Sequence, residues 1–75
     1  MFKVKDAMYI KEMGFKQTDE KDFVYREMID GSPKTIFTIY AGSLYIRHSK
    51  TSYASLSQFR CIYEWTKKHY IEWEE

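Results

Sequence analysis

Asp30-Gly31-Ser32-Pro33-Lys34-Thr35-Ile36-Phe37-Thr38-Ile39-Tyr40-Ala41-Gly42-Ser43-Leu44-Tyr45-Ile46-Arg47-His48-Ser49-Lys50 is the stretch that decides the fold. Asp30-Gly31-Ser32-Pro33 and Ala41-Gly42-Ser43 are turn signals, since Gly reaches positive φ at no steric cost and Asp, Ser and Pro favour turn positions. Between them, Thr35 to Tyr40 is wholly β-branched or aromatic, side chains suited to a pleated, half-buried surface. Leu44 to Lys50 alternates as a further strand, and Phe23 to Asp30, upstream, is rich in β-formers. Two hairpins in succession predict a three-stranded antiparallel meander.

Alternation assigns the faces, because successive strand side chains point to opposite sides. Phe37, Ile39, Leu44 and Ile46 are the expected core. Ile36, Thr38 and Tyr40, beside Tyr45, Arg47 and Ser49, are expected on the open face. In the first strand the pattern leaves open whether Phe23 and Tyr25 or Val24 and Met28 point inward.

A helix is expected before the meander in sequence and another after it, both covering one face of the sheet. Asp6 to Met13 reads as a short helix, with Asp6 accepting from first-turn amides, Gly14 as the left-handed stop and Phe15 folding back on Ile10. Lys16 to Asp22 is polar and reads as a loop. Ser55 opens a long C-terminal helix, with Gln58 completing a capping box. At about 100° per residue, Leu56, Phe59, Ile62, Tyr63, Thr66, His69, Tyr70 and Trp73 share one apolar face. Arg60, Glu64, Lys67, Lys68 and Glu72 share the other, so the first face is expected to lie on the sheet. The predicted fold is α+β, in the order α-β-β-β-α, as one domain over residues 1–75.

The charge is unevenly spread. The chain carries +1 overall, yet Gly31 to Arg60 holds Lys34, Arg47, Lys50 and Arg60 with no Asp or Glu, and Tyr40, Tyr45 and Tyr53 lie between those cations. Tyr40, Tyr45, Arg47, Lys34 and Lys50 form a candidate partner-binding set. Aromatic faces with cations suit nucleic acid, and the same residues suit an acidic protein surface. An ordinary exposed sheet in which Tyr serves as a β-former accounts for them as well. Trp65 and Ile71 fall off the apolar helix face: either they form a contact site or dimer seam, which adds Trp65 to the partner-binding set, or the helix ends early or packs on the first helix over a wider arc.

Nothing in the pattern points to catalysis. His48 and His69 are the only imidazoles and Cys61 the only thiol, without metal-ligand spacing or a base beside the cysteine. His69 is expected as a packed core residue and Cys61 as inert. Asp19, Glu20 and Asp22 lack the alternation and Gly hinge of a Ca²⁺ loop. No metal, cofactor or enzymatic activity is expected. A single cysteine fits a reducing cytosol, and no signal peptide or membrane-spanning run is read, so the expected location is cytoplasmic.

The α-β-β-β-α order resembles the double-stranded-RNA-binding domain. Gly31-Ser32-Pro33-Lys34-Thr35-Ile36-Phe37-Thr38 is similar to the turn between that family's first two strands and the strand that follows. The lysine cluster opening that family's second helix has no counterpart, since this helix begins Ser55-Leu56-Ser57-Gln58. The small size, Tyr9-Ile10-Lys11-Glu12-Met13-Gly14-Phe15 and the terminal aromatic helix also resemble short orphan proteins of phages and prophages of Gram-positive bacteria, anti-CRISPR proteins among them. That resemblance implies a non-enzymatic inhibitor of a host protein, such as a CRISPR-Cas or other defence effector. At +1 the chain is no acidic mimic of DNA. The alternative expectation is a nucleic-acid-binding module using the Tyr/Arg sheet face.

Overall fold

The structure, a computed structural model, describes residues 1–50 and 54–75. Strands β3 (Phe23–Ile29) and β4 (Ser32–Ile39) form a hairpin in which Ile29 pairs with Ser32. Asp30 (φ 51°) and Gly31 (φ 81°) are both left-handed, as a two-residue turn matched to strand twist requires. The strand β4 starts earlier than the expected Thr35 and takes in Pro33, opposite Met28. Pro33 is tolerated there because β5 (Arg47–His48) pairs with Phe37 and Thr38 and the following Ser49 N–H reaches no further than the Ile36 carbonyl, which leaves the start of β4 as a local edge.

The main sheet has four antiparallel strands, in the order β2 (Lys16–Gln17), β3, β4 and β5. Strand β2 (Lys16–Gln17) stands where a loop was expected, and its turn is closed by Thr18 N–H donating to the Asp22 carbonyl at 2.7 Å. Strand β5 (Arg47–His48) is all of the expected Leu44–Lys50 strand that pairs with β4. The residues before it belong elsewhere. Val4 N–H donates to the Leu44 carbonyl at 2.8 Å, and Ile46 N–H to the Phe2 carbonyl at 3.0 Å. They join β1 (Phe2–Val4), which pairs antiparallel with β6 (Ile71–Trp73) in a second, two-stranded sheet. The three-stranded meander is therefore corrected to a four-stranded sheet with a smaller terminal one.

Both helices are shorter than expected. Helix α1 covers Tyr9–Glu12, preceded by a turn in which the Asp6 side chain accepts from Met8 N–H at 3.0 Å. It stops at Gly14 (φ 99°), where Gly14 N–H reaches the Lys11 carbonyl and Phe15 N–H the Ile10 carbonyl. Helix α2 covers Ser55–Lys67 and ends the same way at His69 (φ 64°). His69 N–H donates to the Thr66 carbonyl and Tyr70 N–H to the Trp65 carbonyl, both at 3.0 Å. The expected run to Trp73 is thereby cut, and Ile71–Trp73 becomes strand. His69 is an exposed helix stop, not a packed core residue.

The core joins both sheets to the inner side of α2. Phe37, Ile39 and Ile46 are buried as expected, with Leu44 half-buried against them. Ile36, expected outside, is buried too. The cause is a bulge: Tyr25 pairs with Phe37 but Arg26 with Thr35, which leaves Ile36 as the extra residue. Two successive side chains can then face inward. In β3, Phe23, Tyr25 and Ile29 pack on the core, while Arg26 and Met28 are exposed.

Candidate functional site

Which side of α2 meets the sheet determines the surface this protein presents. Trp65, 5% exposed, lies among Phe15, Tyr25 and Phe37, with ring centroids 5.6, 5.3 and 5.2 Å away. Ala54 and Cys61, both small and buried, let the helix approach. Gln58 fixes its rotation by donating to the backbone carbonyls of Ile36 (3.2 Å) and Ser49 (2.9 Å) instead of closing a capping box. Ala54 occupies the cap position without a side-chain bond.

A polar clamp holds the helix from the edge of the sheet. Glu27 accepts from Tyr25 Oη at 2.9 Å and from Arg60 Nη2. Burial pushes the Glu27 carboxyl up, but hydrogen bonds from Ser57, Tyr25 and Arg60 outweigh it, and the net shift is downward. Burial is also the main cause that raises the Tyr25 hydroxyl and the Cys61 thiol. A raised thiol is the opposite of an activated nucleophile. Among the described residues, no cluster of three or more His, Cys, Asp and Glu could hold a metal ion. No helix among them is long and apolar enough to cross a membrane.

With Trp65 inward, the expected packing face of α2 points to solvent. Leu56 is 83% exposed, Phe59 81% and Tyr63 63%. Residues i, i+3 and i+7 fall on one stripe of a helix, and Trp65 lies about 200° beyond Tyr63. The expectation that Leu56, Phe59 and Tyr63 share a face holds; the expectation that this face is buried is overturned. Beside the stripe runs a trough of about 760 Å³, lined by Phe2, Phe59, Ile62, Tyr63 and Thr66, with Lys67 and His48 on its walls. Lys67 Nζ stands 6.0 Å from the Tyr63 ring centroid. No residue lining the trough is acidic.

The residues proposed from sequence divide into several groups. Tyr40 and Arg47 come together, with the guanidinium carbon 5.0 Å from the ring centroid. Lys50 lines the same depression, which has a volume of about 550 Å³. Lys34 is half-buried further along β4, opposite Glu27. Tyr45 belongs to the other sheet: it bridges to Lys3, its hydroxyl donates to Glu74, and Lys3 Nζ lies 3.5 Å from Glu74 Oε2. Its bond to Glu74 raises the Tyr45 hydroxyl and lowers the Glu74 carboxyl. Trp65 and Ile71, weighed as exposed contacts, are buried and leave the surface set. Arg60 is engaged by Glu27, and Tyr53 lies outside the described residues.

Comparison with protein-family models, with curated proteins and with solved structures finds no match to this chain.

Proposed function

We propose that this chain is a non-enzymatic protein-binding module whose outward face of α2 docks an apolar, acid-flanked segment of a partner protein. The observation that carries this reading is the stripe Leu56, Phe59 and Tyr63, three large apolar side chains each more than half exposed beside an apolar trough.

Charge selects the occupant. Lys67 stands on the wall of the trough with no carboxylate lining it, so an amphipathic segment with Asp or Glu beside its apolar anchors is complementary. A second copy of this chain across a two-fold axis would bring Lys67 against an equally basic rim. The likeness to phage and prophage inhibitors gives the class of partner: a host protein, with a CRISPR-Cas or other defence effector the one it names. Inhibition is then occupancy of a surface that the partner needs.

A displayed library of helical peptides, selected on the wild-type protein and counter-selected on Phe59→Glu, tests the assignment. The expected winners carry apolar residues at i, i+3 or i+4, and i+7 with acidic flanks, and lose at least tenfold in affinity against Phe59→Glu. Winners indifferent to that substitution, winners without acidic residues, or sedimentation as a dimer at micromolar concentration would each overturn the proposal.

A further inference from the structure

A second surface, on the far side of the molecule's main sheet, carries an independent inference. Cross-strand partners in an antiparallel sheet share a face. Lys16 pairs with Val24, Val24 with Thr38, and Thr38 with Arg47, so one row crosses all four strands with a cation at each end. Arg26, two residues beyond Val24 on the same face, pairs with Thr35 and donates from Nε to its hydroxyl at 3.4 Å. Lys50 stands at the margin of the same face, in the depression it shares with Thr35, Thr38, Tyr40 and Arg47.

None of these residues is acidic, although the chain holds 11 carboxylates against 12 Lys and Arg; the carboxylate beside them, Asp22, accepts from Ala41 N–H at 2.8 Å. The ion pairs Lys3–Glu74 and Arg60–Glu27 both lie off this face. Arg26 and Arg47 are instead held by neutral groups, a threonine hydroxyl and the Tyr40 ring. Their charge is therefore positioned without being neutralised, the state of a guanidinium ready for phosphate.

We propose that this face binds single-stranded nucleic acid, with phosphates along Lys16, Arg26, Arg47 and Lys50 and a base seated beside Tyr40. Four strands at about 4.8 Å spacing put Lys16 and Arg47 roughly 14 Å apart, a span that several consecutive phosphates cover. The depression of about 550 Å³ beside the half-exposed Tyr40 admits a base that a flexible single strand can turn inward. A duplex keeps its bases stacked and cannot fill it.

The test is fluorescence anisotropy of a labelled oligo-dT dodecamer from 50 to 200 mM salt, with a duplex of the same length and poly-glutamate as competitors. Four phosphate contacts on a single strand give a logarithmic salt slope near −2.8 and a loss of about 50-fold over that range. Arg47→Ala and Arg26→Ala, at exposed positions, should each flatten this to about 20-fold and weaken binding at 50 mM. Tyr40→Leu should weaken binding by roughly 5- to 150-fold while leaving the slope in place. Phe59→Glu, on the other surface, should bind as wild type, so this inference and the docking of a protein segment fail separately. No binding at 50 mM salt, equal affinity for the duplex, displacement by poly-glutamate at matched charge, or indifference to Arg47→Ala with circular dichroism unchanged would each overturn it.

Discussion

The rotation of α2 can be tested by exchanging one aromatic on each of its sides for alanine. Trp65 is 5% exposed and packs against three aromatic rings within 5.6 Å, so Trp65→Ala leaves a cavity that a small domain closes poorly. Such truncations cost about 3–5 kcal/mol. A chain of 75 residues is expected to hold only about 4–11 kcal/mol in all. Trp65→Ala should therefore leave the protein at the edge of unfolding at 25 °C. Phe59 is 81% exposed and should cost within about 0.5 kcal/mol on truncation. Urea titrations followed by far-UV circular dichroism, with both variants beside wild type, give the two midpoints directly. A midpoint for Phe59→Ala lowered as far as that of Trp65→Ala would show that the outward stripe is packed and would remove the site built on it.

Much of the sheet was legible because its signals were local. Asp30-Gly31 has two left-handed residues that few other pairs tolerate, and the hairpin forms where it falls. Phe37, Ile39 and Ile46 alternate as a half-buried strand should, and all are buried. What failed was pairing at a distance. Leu44 to Ile46 looks like a continuation of β5, but its backbone bonds go to β1, forty or more residues away in sequence. No periodicity in a short segment can reveal that choice. The two helix stops make the same point within one motif. Gly14 announces the first, whereas the second uses His69, and although histidine is several-fold enriched among non-glycine residues with positive φ, such residues are uncommon.

The site was half legible. Helical periodicity grouped Leu56, Phe59 and Tyr63 correctly, but it can only say that residues share a face, not which face is buried. The count of apolar side chains favoured the wrong one. Trp65 decided otherwise because Phe15, Tyr25 and Phe37 offer it an aromatic socket, and because Ala54 and Cys61 on its side are small enough for close approach. Those partners come from three separate parts of the chain, and their convergence is a tertiary fact. An available signal was the amphipathic helix itself: its other side carries Trp65, so both sides hold an aromatic and one of them had to remain outside.

The two helix stops should respond in opposite directions to substitution. Gly14→Ala forces a side chain into φ 99° with its Cβ 3.1 Å from Tyr25 Cε2, and should lower stability by about 1–2 kcal/mol in urea titrations. His69→Gly relieves a left-handed residue at φ 64° and should raise the thermal midpoint by a few degrees, a gain of up to about 1 kcal/mol. The pH dependence of stability turns on Glu27. Its carboxyl titrates lower in the folded chain than in the unfolded one, because Ser57, Tyr25 and Arg60 favour the charged form more strongly than burial opposes it. The unfolded state therefore binds the proton more readily, and stability falls as the pH is lowered. The contribution is fully present above the unfolded carboxylate range, from about pH 5 upward, and disappears as pH drops through the lower folded value. Glu27→Gln keeps the shape and removes the charge. At pH 7 it should cost about 1–2 kcal/mol, a bond to a charged group discounted for the half-exposed Arg60. At pH 3 the gap between the two proteins should have narrowed, so the acid limb of the variant is shallower. Some slope should remain in it, since Glu74 is also lowered by its bond from Tyr45. Urea midpoints at both pH values measure the difference. A Glu27→Gln curve parallel to wild type across that range would mean that Glu27 is not held as its three hydrogen-bond donors require, and the clamp that sets the rotation of α2 would have to be sought in Gln58 alone.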